Sequence, residues 1–144
     1  MVVMGFVVTL LFGCSGDKKP AIHGADVDVS QAQLVTVISV DELPSPDGKE
    51  RLRFVVYAEN AHSIDQRAQT AMALAIGAAK AGAYEVLVWL EAEPKLSRRL
   101  AVADYYPYGD TAFGKPAPHI WDVYAYKTGD ENNPIAPFPV YFHQ

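Results

Sequence analysis

The sequence predicts an α+β domain: a single sheet of about five strands with one main helix packed on one face, in the order β-β-α-β-β-β. Three observations carry this. Short β-branched runs bounded by polar and proline-containing turns mark strands. One alanine-rich stretch opens on a capping signature and closes on glycine, which marks a helix. Half of the 144 residues are hydrophobic (50%) and 20% are charged, enough to bury a core in one domain of this length.

The first strand is Leu34-Val35-Thr36-Val37-Ile38-Ser39-Val40. Pro44-Ser45-Pro46-Asp47-Gly48 then reverses the chain, since proline fixes φ and Asp-Gly supplies the turn. Arg51 to Glu59 forms the second strand of a hairpin. Leu52, Phe54, Val56 and Ala58 share one of its faces, and Arg51, Arg53, Val55 and Tyr57 share the other. Ser63-Ile64-Asp65-Gln66 reads as a capping box with an acidic residue at the positive helix end. The helix runs to about Ala81 and stops at Gly82. Ile64, Ala68, Ala71, Ala75 and Ala78 form one stripe, and its small side chains let the helix lie close to a sheet.

Tyr84 to Glu91 is the third strand, apolar on both faces as a central strand should be. Glu93-Pro94-Lys95 breaks it, and Arg99 to Tyr105 resumes as the fourth. After the loop Tyr106 to His119, Ile120 to Lys127 is the fifth. The tail from Thr128 carries Pro134, Pro137 and Pro139 and reads as extended edge or surface-packed chain. The helix makes a crossover between the second and third strands, which allows those two to run parallel, while the other connections suit antiparallel pairing.

Residues 1–13 are uncharged and apolar, and abruptly polar residues follow Cys14. As a helix that run covers roughly 21 Å, short of the ~30 Å hydrocarbon core, so it suits a signal peptide better than a membrane span. Leu11-Phe12-Gly13-Cys14 resembles the lipobox of bacterial lipoproteins, although Phe12 is bulky for its place and no Lys or Arg precedes it. The resemblance implies a diacylglycerol on the Cys14 thiol, cleavage before it and acylation (as by palmitate) of the new N-terminus. It also implies a bacterial cell envelope location, and Ser15 after the cysteine points to the outer membrane, facing the periplasm. Residues 14–33 read as a flexible tether and 34–144 as the domain. The segment from 50 to 110 is also loosely similar to small uncharacterised lipoproteins, through Arg67, Thr70 and Ala71 and through Ala101, Ala103 and Tyr105. That similarity implies no activity.

With 12 Lys+Arg against 17 Asp+Glu the net charge is −5, which argues against a nucleic-acid partner. One cysteine excludes an intramolecular disulfide and a Cys-based zinc site. No helical zinc signature, nucleophile elbow or phosphate loop is present, so no catalytic residue, metal ligand or cofactor is assigned. Glu91 and Glu93 share a strand end without a sugar-sized groove to serve. Ten of the 16 aromatic residues lie from position 105 onward. Most should fill the core that an alanine helix leaves short of bulk. Tyr105, Tyr106, Tyr108 and Trp121 are the candidate contacts for an envelope protein or glycan, because such rings give flat, amphipathic area. Lys95, Arg98 and Arg99, with Arg51 and Arg53 as sheet neighbours, form the basic group that an acidic partner or anionic headgroups would meet. The expectation is a non-enzymatic binding domain anchored to the bilayer through Cys14. The alternative is a small periplasmic hydrolase or metal-dependent enzyme using His119, Asp122 and Asp104.

Overall fold

The strands assemble as expected into one sheet with one helix, with element order β-β-α-β-β-β followed by a short added edge. A computed structural model describes residues 21–111, 115–126 and 136–142, apart from the side chains of residues 96 and 97. The expected signal peptide and Cys14 lie outside the described residues. The strands are β1 (Thr36–Glu42), β2 (Arg51–Tyr57), β3 (Glu85–Glu93), β4 (Lys95–Tyr105), β5 (Trp121–Ala125) and β6 (Ala136–Pro137), with α1 (Ile64–Lys80) between β2 and β3. Their spatial order follows the sequence. The α1 crossover makes β2 and β3 parallel, and every other neighbouring pair is antiparallel.

The helix begins where its capping groups satisfy each other. The Gln66 amide donates to Ser63 Oγ at 3.1 Å, and the Ser63 amide donates to Gln66 Oε1 at 3.1 Å. Its alanine stripe is sealed against the sheet: Ala68, Ala71 and Ala75 are fully buried and Ala78 is 3% exposed. Side chains this small bury little area each, so the sheet and Met72 supply the bulk, with Phe54, Leu90 and Tyr105 among the largest buried groups. Pro94 marks a hairpin corner, so β4 starts at Lys95, four residues earlier than the sequence suggested. The proline-bearing tail supplies β6, a two-residue edge strand on β5.

Residues 21–33 are not free of the domain. The Gln31 amide donates to Gln69 Oε1 at 2.7 Å and the Gln33 amide to Thr70 Oγ1 at 2.9 Å, which satisfies two polar side chains buried on α1. Val27 is 2% exposed and bridges to Phe142. The expected tether therefore ends before this segment, which straps the sheet. Polar composition alone did not reveal it, because its bonds are mainly backbone donors meeting distant acceptors.

Candidate functional site

Register decides which side chains share a face, because directly opposed residues point the same way. Phe54, Val88, Ala103 and Val123 form one row, and Val56, Leu90, Ala101 and Ala125 form another, both beneath α1. The alternate rows are Arg53, Leu87, Asp104 and Asp122, then Val55, Trp89, Val102 and Tyr124. They line the face opposite α1, the one helix among the described residues. We take this open face as the candidate site.

A chain of polar contacts crosses its lower end. Arg51 Nε donates to Glu85 Oε2 at 2.5 Å, and Glu85 is only 3% exposed. This bond holds the Arg51 guanidinium above its usual range. The Tyr106 hydroxyl donates to Asp104 Oδ2 at 2.9 Å and also bonds Glu85. Burial, then the Asp104 charge, pushes the Tyr106 phenol upward. Asp104 is flanked by Glu85 and faces Asp122 across the β4–β5 ladder, and its Oδ1 is buried without a hydrogen-bond partner among the described residues. Burial, reinforced by Glu85 and Asp122, pushes its pKa from 3.8 to about 7 against the opposing Tyr106 bond. Asp104 thus holds or releases a proton near neutrality. Among the described residues, no group of His, Cys, Asp and Glu is arranged to hold a metal.

The upper end is cationic and aromatic. The Arg99 guanidinium lies 3.6 Å over the Trp89 ring and the Arg53 guanidinium 4.5 Å from it. Arg53 is tied to Asp41 at 3.0 Å. Arg99 reaches this face through a bulge: Leu90 opposes Ala101, but Glu91 opposes Arg99, so Leu100 is the extra residue. Arg98 sits on the other side near Arg67, whose pKa is lowered by desolvation and then by the Arg98 charge. The basic group read along the sequence is therefore divided between two faces.

Residues 30–135 match the family described as DUF4875, a domain of unknown function. The chain belongs to this family. Among solved structures, the DUF4875 chain is similar to a DUF487 family protein from Desulfovibrio piger ATCC 29098, with a TM-score of 0.58 and 21% identity. The match covers 65% of this chain and 63% of that one, and at this identity it is a likeness of fold. No curated protein matches.

The four aromatic candidates fall into two pairs in the DUF4875 domain. Tyr105 is fully buried and Trp121 is 8% exposed, and their rings stack at 3.9 Å beneath the strap. The Tyr105 hydroxyl donates to the His23 carbonyl at 2.5 Å, and Trp121 Nε1 donates to the Gly24 carbonyl at 2.8 Å. These two are core residues and offer a partner almost no surface. Their odd positions on β4 and β5 put them under α1, which the sequence parity already contained. Tyr106 and Tyr108 are half-buried. Tyr106 joins the Asp104 array, and Tyr108 stacks on Tyr84 at 4.7 Å. Tyr84 in turn accepts from Lys49 and donates to Asp110, each at 3.0 Å.

The hydrolase residues are not all assembled. Asp104 and Asp122 are neighbours on the open face, but exposed His119 lines a separate groove of about 350 Å³ with Ile120, Trp121, Phe138, Val140 and Phe142. What sequence reasoning missed is the Glu85–Tyr106–Asp104 contact and the Arg99–Trp89 stack. Both depend on the β3–β4 register; an aspartate inside a strand was the available signal for the first.

Proposed function

We propose that this DUF4875 domain is a non-enzymatic binding module of the bacterial cell envelope, held by acylated Cys14 at the outer membrane and facing the periplasm. Its open sheet face is the docking surface for an envelope protein. One observation carries the reading: α1 covers one face only, and the other presents Trp89, Tyr106 and Tyr124 among charges of both signs. Trp, Tyr and Arg are the residue types that dominate protein–protein hot spots. A glycan needs a bare ring to stack upon, whereas the Arg99 guanidinium already lies over Trp89. This favours a protein over a glycan.

Two measurements test it together. Metabolic lipid labelling and membrane fractionation of wild type and Cys14→Ser should give label and outer-membrane recovery for wild type alone. A photocrosslinking residue at Tyr124, 38% exposed on the open face, should yield a discrete adduct in cells; the same residue at Lys80, at the end of α1, should not. Equal labelling of both proteins overturns the anchor. Adducts from Lys80 and none from Tyr124 overturn the docking face.

A further inference from the structure

We propose that the groove beside the strap, walled by Ile120, Phe138 and Phe142, is the seat of the domain on the bilayer, its rings entering the headgroup region of the leaflet that holds the anchor. This goes beyond the docking face and rests on the acylated Cys14 proposed above. The groove holds about 350 Å³, and His119, Trp121 and Val140 complete its lining. One wall is built from Phe138, Val140 and Phe142, alternate residues of a single segment. In that segment Tyr141 is 64% and Phe142 56% exposed. Large apolar rings left bare side by side mark a contact surface, whereas single exposed ones need no explanation. The segment is held in place at two points. The Phe138 amide donates to the Val123 carbonyl at 2.7 Å, and the Tyr141 carbonyl accepts from the Asp28 amide at 3.0 Å. Pro137 and Pro139 fix φ on either side of Phe138. The rings are thus presented on a fixed backbone.

Two observations choose a bilayer over a protein. The first is where the chain leads towards Cys14. The strap runs against this groove: the Gly24 carbonyl accepts from Trp121 Nε1 at 2.8 Å, and a Cβ on Gly24 would sit 2.6 Å from Ile120 Cγ2. Only residues 15–20 lie between Cys14 and the described chain, so an acylated Cys14 stays near the rim of the groove. The second is charge. The chain has 17 Asp and Glu, yet residues 116–120 and 136–142 hold none. Exposed Lys115 adjoins them, with a stem that lies on apolar surface while its ammonium stays among headgroups. A tyrosine beside a phenylalanine suits the membrane interface, where a ring meets apolar chains at one end and water at the other. Asp26 and Asp28 flank Val27, which bridges to Phe142, so ring burial and not headgroup charge would hold the seat.

The test uses the full chain, with the processing it receives in the cell, in nanodiscs of neutral phosphatidylcholine brominated near the headgroup end of its acyl chains. Bromine quenches an indole that enters the lipid. Phe142→Trp and Tyr141→Trp are therefore read against Tyr124→Trp on the open face, each as the emission added over wild type. The first two should lose about half of that emission, as rings buried ~5–10 Å deep would, and the Tyr124 reporter should keep it. Urea midpoints matching wild type show that each variant folds, and Tyr141, the more exposed position, serves if Phe142→Trp does not. No quenching of either groove reporter, or equal quenching of the Tyr124 reporter, overturns the seat. Mass spectrometry of the same sample reads the anchor separately. Acyl groups without quenching leave the anchor standing and remove the seat; an unacylated Cys14 removes both. In cells, a photocrosslinking residue at Phe142 should capture phospholipid. A discrete protein adduct or a crosslinked dimer there overturns the proposal and assigns the groove to a partner or a second copy.

Discussion

Replacing Asp104 by asparagine should make the protein more stable above neutrality. The wild-type carboxyl sits beside Glu85 and opposite Asp122, with one oxygen lacking a hydrogen-bond partner among the described residues. Its pKa stands at about 7 instead of 3.8, so the native state holds a proton that the unfolded chain releases. The sign follows directly. This contribution is fully present below about pH 4, is lost as pH rises through the window from about 4 to 7, and changes little above it. At ~1.4 kcal/mol per pKa unit the full displacement corresponds to about 4 kcal/mol, and solvent reaching the half-buried carboxyl reduces the expected effect to about 2–3 kcal/mol. Asparagine is nearly isosteric and cannot ionise. Urea unfolding of both proteins from pH 4.5 to 8 isolates the Asp104 cluster, because carboxylates remote from Glu85 and Asp122 cancel in the difference. The variant should gain progressively and level off above pH 7. A difference that stays flat with pH, or an asparagine variant less stable than wild type at pH 8, refutes the reasoning.

Other outcomes follow from single contacts. Gly24 has φ +73°, and a Cβ there would sit 2.6 Å from Ile120 Cγ2, so Gly24→Ala should cost about 1–3 kcal/mol in thermal unfolding. Tyr105→Phe removes the bond to the His23 carbonyl; it should cost about 1 kcal/mol and speed hydrogen exchange at Val27 more than at Val88. Ser63→Ala breaks the capping box and should lower stability by about 1 kcal/mol, with the loss of protection concentrated in the first turn of α1. Ala75→Leu forces bulk between α1 and the sheet at a fully buried position and should cost about 1–3 kcal/mol by urea titration.

The fold was legible where its causes are local. Ser63 and Gln66 satisfy each other across one helical turn, Gly82 has φ +117° just beyond the end, and alternation along Arg51–Tyr57 separates the two faces. The α1 crossover then fixes the parallel pair. The site was legible only in part, because its contacts cross strands. Nothing near Asp104 in sequence announces Glu85, which the β3–β4 ladder brings to it through Tyr106. The bulge at Leu100 reverses the alternation that would otherwise place Arg99, and it appears only once two strands are laid side by side. Tyr105 and Tyr106 are adjacent in the chain yet one is core and the other belongs to the open face, a division that follows from strand parity more than from aromatic density.

The strap also has a mechanical meaning. His23 and Gly24 are tied to Pro107, Tyr105 and Trp121, so the chain leaves the domain beside β4 and β5 and not from the outer edge at β1. Were Cys14 the anchor, as proposed above, seven Cα–Cα steps would separate it from Ala21, a leash of at most about 25 Å. That is shorter than the diameter of a domain this size, about 30 Å or more. The domain would ride close to the bilayer with little freedom to turn away. A partner pulling on the open face would load the anchor through two stacked rings and their hydrogen bonds, so tension would shear the buried interior before it could peel an edge strand.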